Sequence, residues 1–259
     1  MFHDVRFIAS FMCAQFSPEE DAMFEKIGAA VLKRLKKTRN PGDLLSVLAS
    51  AHKEFDRAYA SAPVAALATV ACRAGCGTCC RVPVGVLAHE VLIAAQYVQK
   101  HFSPVELDAL IARGAAHREA VAGRSNLERT LLKRPCVLLR EESCSIYEAR
   151  PEACRSHHSN NVEACRTNLE LGREDIDVYI PGVRGRMFAV MLAIDQAVAE
   201  AGFDGQAYDF GSALHEALTN SLCAVRWIQR QSAFPESCRE ASEPGDEDSG
   251  VMHAEGYFQ

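Results

Sequence analysis

The sequence predicts a mostly α-helical protein: a compact helical domain with an irregular cysteine-rich metal-binding centre. Three observations carry that prediction. Alanine and leucine are abundant while only 7% of the 259 residues are aromatic, a balance that favours helices over sheets. Helix-start signatures recur along the chain. Eight of the 11 cysteines crowd between positions 72 and 165, about twice an even share, and no helical pattern accounts for them.

The helices are taken in chain order. SPEEDAMFEKIGAAVLKRLKK, residues 17 to 37, offers Ser17 as N-cap, Pro18 in the first turn, acids at the positive end of the dipole and lysines at the other. A second helix is expected from about Asp43 to Ala60. VLAHEVLIAAQYVQKHF has a helical apolar pattern. The next two segments open with capping boxes, Ser103 with Glu106 and Ser125 with Glu128. Residues 134 to 151 are the least helical part, with CVLL expected as a short strand or extended segment presenting Cys136 and Cys144. Pro151 then opens a helix carrying Cys154, and NNVEACRTNLELG places Cys165 on another. Two further amphipathic helices are expected at 184–201 and at about 212–229.

No linker or repeat divides residues 1–235, which read as a single helical domain around a cysteine-cluster core at about 70–166. At 48% hydrophobic the chain can bury a sizeable core. From Glu236 onward seven acids face one base, so residues 236–259 carry the whole formal charge of −6 and read as an acidic, disordered tail. The remaining body is near neutral and offers no electrostatic footprint for nucleic acid. Runs of eighteen apolar residues are absent, so no membrane partner is expected either. A protein or peptide partner of unknown identity stays open. The amino-terminal stretch MFHDVRFIASFMCAQF lacks a strong basic region and a small-residue cleavage site. The expected location is therefore cytoplasmic, where thiols stay reduced and disulfides are disfavoured.

The densest thiol stretch is CRAGCGTCC, residues 72 to 80. On an ideal helix Cys72, Cys76, Cys79 and Cys80 would fall at about 0°, 40°, −20° and 80°, one face that a buried stripe could use. Gly75 and Gly77 argue against that helix and instead let the backbone curl around an ion. Cys76-Gly77-Thr78-Cys79 as a redox dithiol lacks the βαβ context such motifs need. Metal ligation fits best, since thiolates suit zinc, iron and iron–sulfur clusters. The candidate ligands are Cys72, Cys76, Cys79, Cys80, Cys136, Cys144, Cys154 and Cys165. Four thiolates around a divalent ion or a [4Fe-4S] core of charge +2 leave a site of charge −2. Nearby arginines can compensate that charge, Arg150 and Arg155 above all. Eight cysteines suffice for two four-thiolate centres, though spacing alone does not assign them, and the vicinal Cys79 and Cys80 point in different directions in most backbones. His157 and His158 are possible further ligands. His89 with Glu90 lacks the second histidine of an HExxH motif and receives no catalytic role.

The Cys72-x3-Cys76-x2-Cys79 spacing is similar to that of radical S-adenosylmethionine enzymes. Thr78 stands where those usually have an aromatic residue, and their βα units are missing. The whole constellation more closely resembles the YkgJ-type cysteine-cluster family of zinc- or iron-chelating proteins, whose signature is CxxxCxxCC followed by a cysteine and then CxIYxxRPxxCR. Here those segments are CRAGCGTCC and CVLLREESCSIYEARPEACR, with Ile146, Tyr147, Arg150, Pro151 and Arg155 in their places and Glu90 at an acidic position usual in the family. The resemblance covers about residues 70 to 166. It implies metal ligation by these cysteines on a helical scaffold, and one branch resembles flagellin lysine N-methylases. The expected function is thus an iron-binding protein, the iron held as an iron–sulfur cluster with zinc as the alternative, whose centre is structural or transfers electrons. The other readings are an iron–sulfur-dependent protein- or peptide-modifying enzyme such as a lysine N-methylase, and a zinc-stapled interaction module.

Overall fold

The computed structural model describes residues 16–172 and 176–241, and helices dominate them. Helix α1 (Pro18–Lys37) begins as expected: Ser17 Oγ accepts from the Glu20 N–H at 3.4 Å, and the Glu20 carboxylate accepts from the Ser17 N–H at 2.9 Å. Its buried residues Ile27, Val31 and Leu35 recur every fourth position and face α10 (Pro181–Glu200). Gly28 lets the two helices approach, since a Cβ there would stand 3.4 Å from the Ala193 carbonyl oxygen. Helix α10 starts at Pro181 rather than 184, the proline supplying a preformed first turn.

Two helices expected as continuous are broken. Residues 43–60 form α2 (Pro41–Ala51) and α3 (Lys53–Ala60), with a bend at His52 that keeps helical dihedrals while drawing the imidazole into the core. The 212–229 segment divides into α11 (Phe210–Thr219) and α12 (Leu222–Ile228). Asn220 is extended there, and its side-chain carbonyl accepts from the Leu222 N–H at 3.1 Å, the local bond by which asparagine competes with a helix.

Between these lie α4 (Val64–Leu67), α5 (Ala88–His101), α6 (Pro104–Val121), α7 (Asn126–Leu131), α8 (Glu152–Ser156) and α9 (Val162–Leu171). Both capping boxes form, at Ser103 and Ser125. A short antiparallel ladder, missed in the sequence, pairs β1 (Gly85–Leu87) with β4 (Ala207–Asp209) and ties the exit of the cysteine stretch to the C-terminal half. CVLL is extended only at its end: β2 (Leu139–Arg140) pairs with β3 (Ser143–Cys144), and Glu141 and Glu142 turn between them with φ of 47° and 58°.

The core is one continuous apolar cluster including Leu48, Phe55, Ile146, Ile194, Leu214 and Trp227. The expected tail does not start at Glu236. Residues 236–238 make a 3-10 turn with Cys238 buried, and the Glu240 N–H bonds the Ala207 carbonyl at 3.1 Å, so the packed chain runs to Ala241. The rest of the acidic segment lies outside the described residues. No helix among the described residues is long and apolar enough to cross a membrane.

Candidate metal centre

The cysteine region is assembled from short turns. Gly75 adopts φ +80°, a left-handed conformation that glycine takes without strain, and bends the chain between Cys72 and Cys76. Gly77 serves by its lack of bulk: a Cβ there would lie 2.6 Å from Glu142 Oε2 and 3.1 Å from Leu139 Cδ1. A 3-10 turn over Cys79–Arg81 follows, and the Cys80 carbonyl accepts from the Cys136 N–H at 2.7 Å. That bond joins the first cysteine segment to the second, where β3 holds Cys144. Arg81 reinforces the junction, donating to the Gly77 carbonyl at 2.8 Å and to the Glu142 carboxylate at 3.0 Å.

Ser159 gathers the outer cysteines. Its N–H donates to Cys72 Sγ at 3.2 Å, and its Oγ is 3.0 Å from Cys165 Sγ on α9. Helix α9 is held in place by the Asn161 side chain, which accepts from the Glu163 and Ala164 N–H groups. The charges of the thiols act on one another in two sets. Cys72 is electrostatically coupled to Cys76, Cys79 and Cys165, and Cys165 to Cys76 and Cys79. Cys154 is coupled to Cys136, Cys144 and Cys79, and Cys144 again to Cys79. Cys79 is the member common to both, and Cys80 beside it raises its thiol further. The vicinal pair therefore stands where the two groups meet.

This crowding has an electrostatic consequence. Burial of the sulfur pushes Cys136 up to about 11, with Cys144 adding to the rise, and lifts Cys154 well above the thiol range. The hydrogen bond with Cys80, then desolvation, raises Cys79, although that residue is exposed as a whole. Opposing this, Arg150 lowers Cys79 and Cys144, and Arg155 lowers Cys144. Arg150 lies over the Tyr147 ring at 3.8 Å, and Arg155 Nε donates to the Arg150 carbonyl at 3.0 Å. Both arginines thus act on thiols through their charge. Arg140 and Arg166 instead pair with Glu106 and Glu163. His157 packs edge-on to Tyr179, and His158 packs against Tyr59, where burial pushes it down to about 4. Cys223 and Cys238 are buried elsewhere in the core, and Cys13 lies outside the described residues.

Behind Cys154 lies a buried polar cluster that sequence reasoning missed. His52 Nε2 and His89 Nε2 stand 2.8 Å and 3.1 Å from Glu152 Oε1. Glu90 joins the starts of two helices, its carboxylate accepting from the Leu87 N–H at 2.6 Å and from the Glu152 N–H at 2.7 Å. The acidic position noted after the first motif therefore fixes α8, and with it Cys154, against α5. Burial and then the Glu152 charge raise Glu90. Burial would raise Glu152 as well, but the hydrogen bonds from His52 and His89 hold it low. His52 and Glu152 are 100 residues apart in the chain, a separation that leaves no local motif.

A soft donor set of eight thiols, flanked by guanidinium groups, suits zinc or iron. No curated protein and no solved structure matches the chain. A family model does match, over residues 71–170, and its span takes in all eight clustered cysteines and their arginines. Over residues 71–170 the chain is thus similar to the CxxCxxCC family, described as a "putative zinc- or iron-chelating domain".

Proposed function

We propose that the cysteine centre holds iron as iron–sulfur clusters, with a structural or electron-transferring role. What supports this reading is that the thiol charges act on one another in two sets, Cys72, Cys76 and Cys165 in one and Cys136, Cys144 and Cys154 in the other, with Cys79 acting on both. One member of the Cys79–Cys80 pair then completes each trio, giving two four-thiolate sets. The spacing of the sulfurs supports the choice of iron–sulfur over zinc. Four sulfurs about 2.3 Å from a single zinc are roughly 3.8 Å apart. Among the described residues no three cysteine sulfurs come within 4.8 Å of one another, which suits a larger inorganic core. Such a centre supplies one-electron transfer, or a covalent cross-link between segments. This chain's own residues set its surroundings. Arg150 and Arg155 offset the thiolate charge, and the Ser159 N–H donates to a sulfur, as outer-shell groups do.

Anaerobic purification followed by iron, zinc and acid-labile sulfide determination tests the proposal. Brown protein with iron and sulfide in equal amounts is the expected result. Colourless protein with stoichiometric zinc and no sulfide refutes it and leaves a zinc-stapled interaction module.

A further inference from the structure

We propose that His52, His89 and Glu152 form a second metal site, for a divalent first-row ion such as Fe2+ or Mn2+, separate from the cysteine centre. The three ligand atoms, two imidazole nitrogens and one carboxylate oxygen, all lie within 4.8 Å of one another. They come from three elements: the bend between α2 and α3, the first turn of α5 and the first residue of α8. Donors bound about 2.0–2.1 Å from one ion stand roughly 2.9–3.4 Å apart at octahedral to tetrahedral angles. The separations from Glu152 Oε1, 2.8 Å to His52 and 3.1 Å to His89, fall close to that range without any rearrangement.

The polar atoms left over point the same way. Both histidines converge on the same Glu152 oxygen, while the other, Oε2, is buried with no hydrogen-bond partner. Glu152 is 1% exposed and His89 fully buried, so bulk water does not satisfy them. Asp195 Oδ1, on α10 where that helix packs against α8, is likewise buried and unpartnered. Buried polar atoms of this kind cost stability unless something beyond the chain engages them. Two imidazoles with a carboxylate are a non-thiolate set suited to iron, manganese or zinc, chemically distinct from the soft cysteine centre a few residues along α8.

The test counts metals in the full chain and separates the two sites. Protein produced in Mn2+-enriched medium is desalted and analysed for all first-row metals, alongside His52→Gln and Cys76→Ser. Mn2+ is the probe because it avoids thiolates and is read by electron paramagnetic resonance. The wild type is expected to retain an equivalent of metal that Cys76→Ser keeps and His52→Gln loses. The loss should be at least the roughly 10–100-fold weakening that follows removal of an outer partner. The visible absorption of the cysteine centre should be unchanged in His52→Gln. Should that variant fail to fold, the wild-type Mn2+ spectrum decides, since nitrogen couplings from two imidazoles are required. Metal content that vanishes entirely with the cysteine variant, or bound Mn2+ without imidazole nitrogen coupling, overturns the proposal. A colourless protein refutes the iron–sulfur reading alone and leaves this one standing.

Discussion

Between Cys72 and Cys154 the thiols are presented by 3-10 turns, two-residue strands and a five-residue helix. Around them α1 and α10 each run for 20 residues and bury a continuous apolar stripe against one another. The two regions differ in what holds them together. The frame has regular hydrogen bonds and apolar area, about 25 cal/mol for each Å² removed from water. The first cysteine segment, residues 72–80, buries no apolar side chain, so its order rests on cross-segment bonds such as Cys136 N–H to the Cys80 carbonyl. A bound metal adds there what packing does not.

Metal removal should break this comparison most sharply. Structural zinc in finger peptides contributes about 10–16 kcal/mol, more than any single core truncation. After anaerobic chelation, residues 72–80 and 136–165 are expected to lose hydrogen-exchange protection by orders of magnitude, while α1 and α10 keep theirs. Mass spectrometry of exchange, segment by segment, reads the result. Equal loss everywhere would mean that the frame depends on the metal, and the distinction drawn above would fall.

The two regions were unequally legible in the sequence. The frame's helices declared themselves through Ser17, Ser103 and Ser125, because caps and 3.6-residue periodicity are local signals. The bend at His52 and the break at Asn220 were not legible: the first is set by a partner 100 residues away, and the second by one local side-chain bond overriding an apolar pattern. The cysteines and their arginines could be named from spacing. Their division into two groups about Cys79 could not, because it depends on Ser159 and on the Cys80–Cys136 backbone bond, both long-range. The buried histidine–carboxylate trio left no motif at all.

The second test attacks the frame alone. Trp227 is fully buried and stacks on Phe203 with ring centroids 4.3 Å apart. Truncation of a buried aromatic costs about 3–5 kcal/mol. The indole N–H is itself buried without a partner, so its removal recovers some desolvation cost and puts Trp227→Ala towards the lower end. Urea unfolding followed by circular dichroism gives the loss. Metal content is expected to stay at the wild-type value, and a proportional fall in bound metal would show the two regions coupled.

The smallest expected effect compares a matched pair, one substitution in each region. Ser103→Ala removes the cap of α6, a change that costs about 1 kcal/mol, and reaches the cysteine segments only through the Glu106–Arg140 ion pair. Gly75→Ala meets no atom within 4 Å, so its cost is conformational: φ of +80° is strained for any residue with a Cβ, by about 1–2 kcal/mol. The two variants should therefore unfold at similar denaturant concentrations. They should differ in metal retention, because the Gly75 turn sets the approach of Cys72 to Cys76 whereas Ser103 bonds no cysteine and leaves the Glu106–Arg140 pair in place. Competition with a chromogenic chelator measures that difference directly. If Gly75→Ala relaxes to negative φ and still holds its metal as tightly as Ser103→Ala does, the left-handed turn is dispensable to ligation, and the centre tolerates a different path between its first two cysteines.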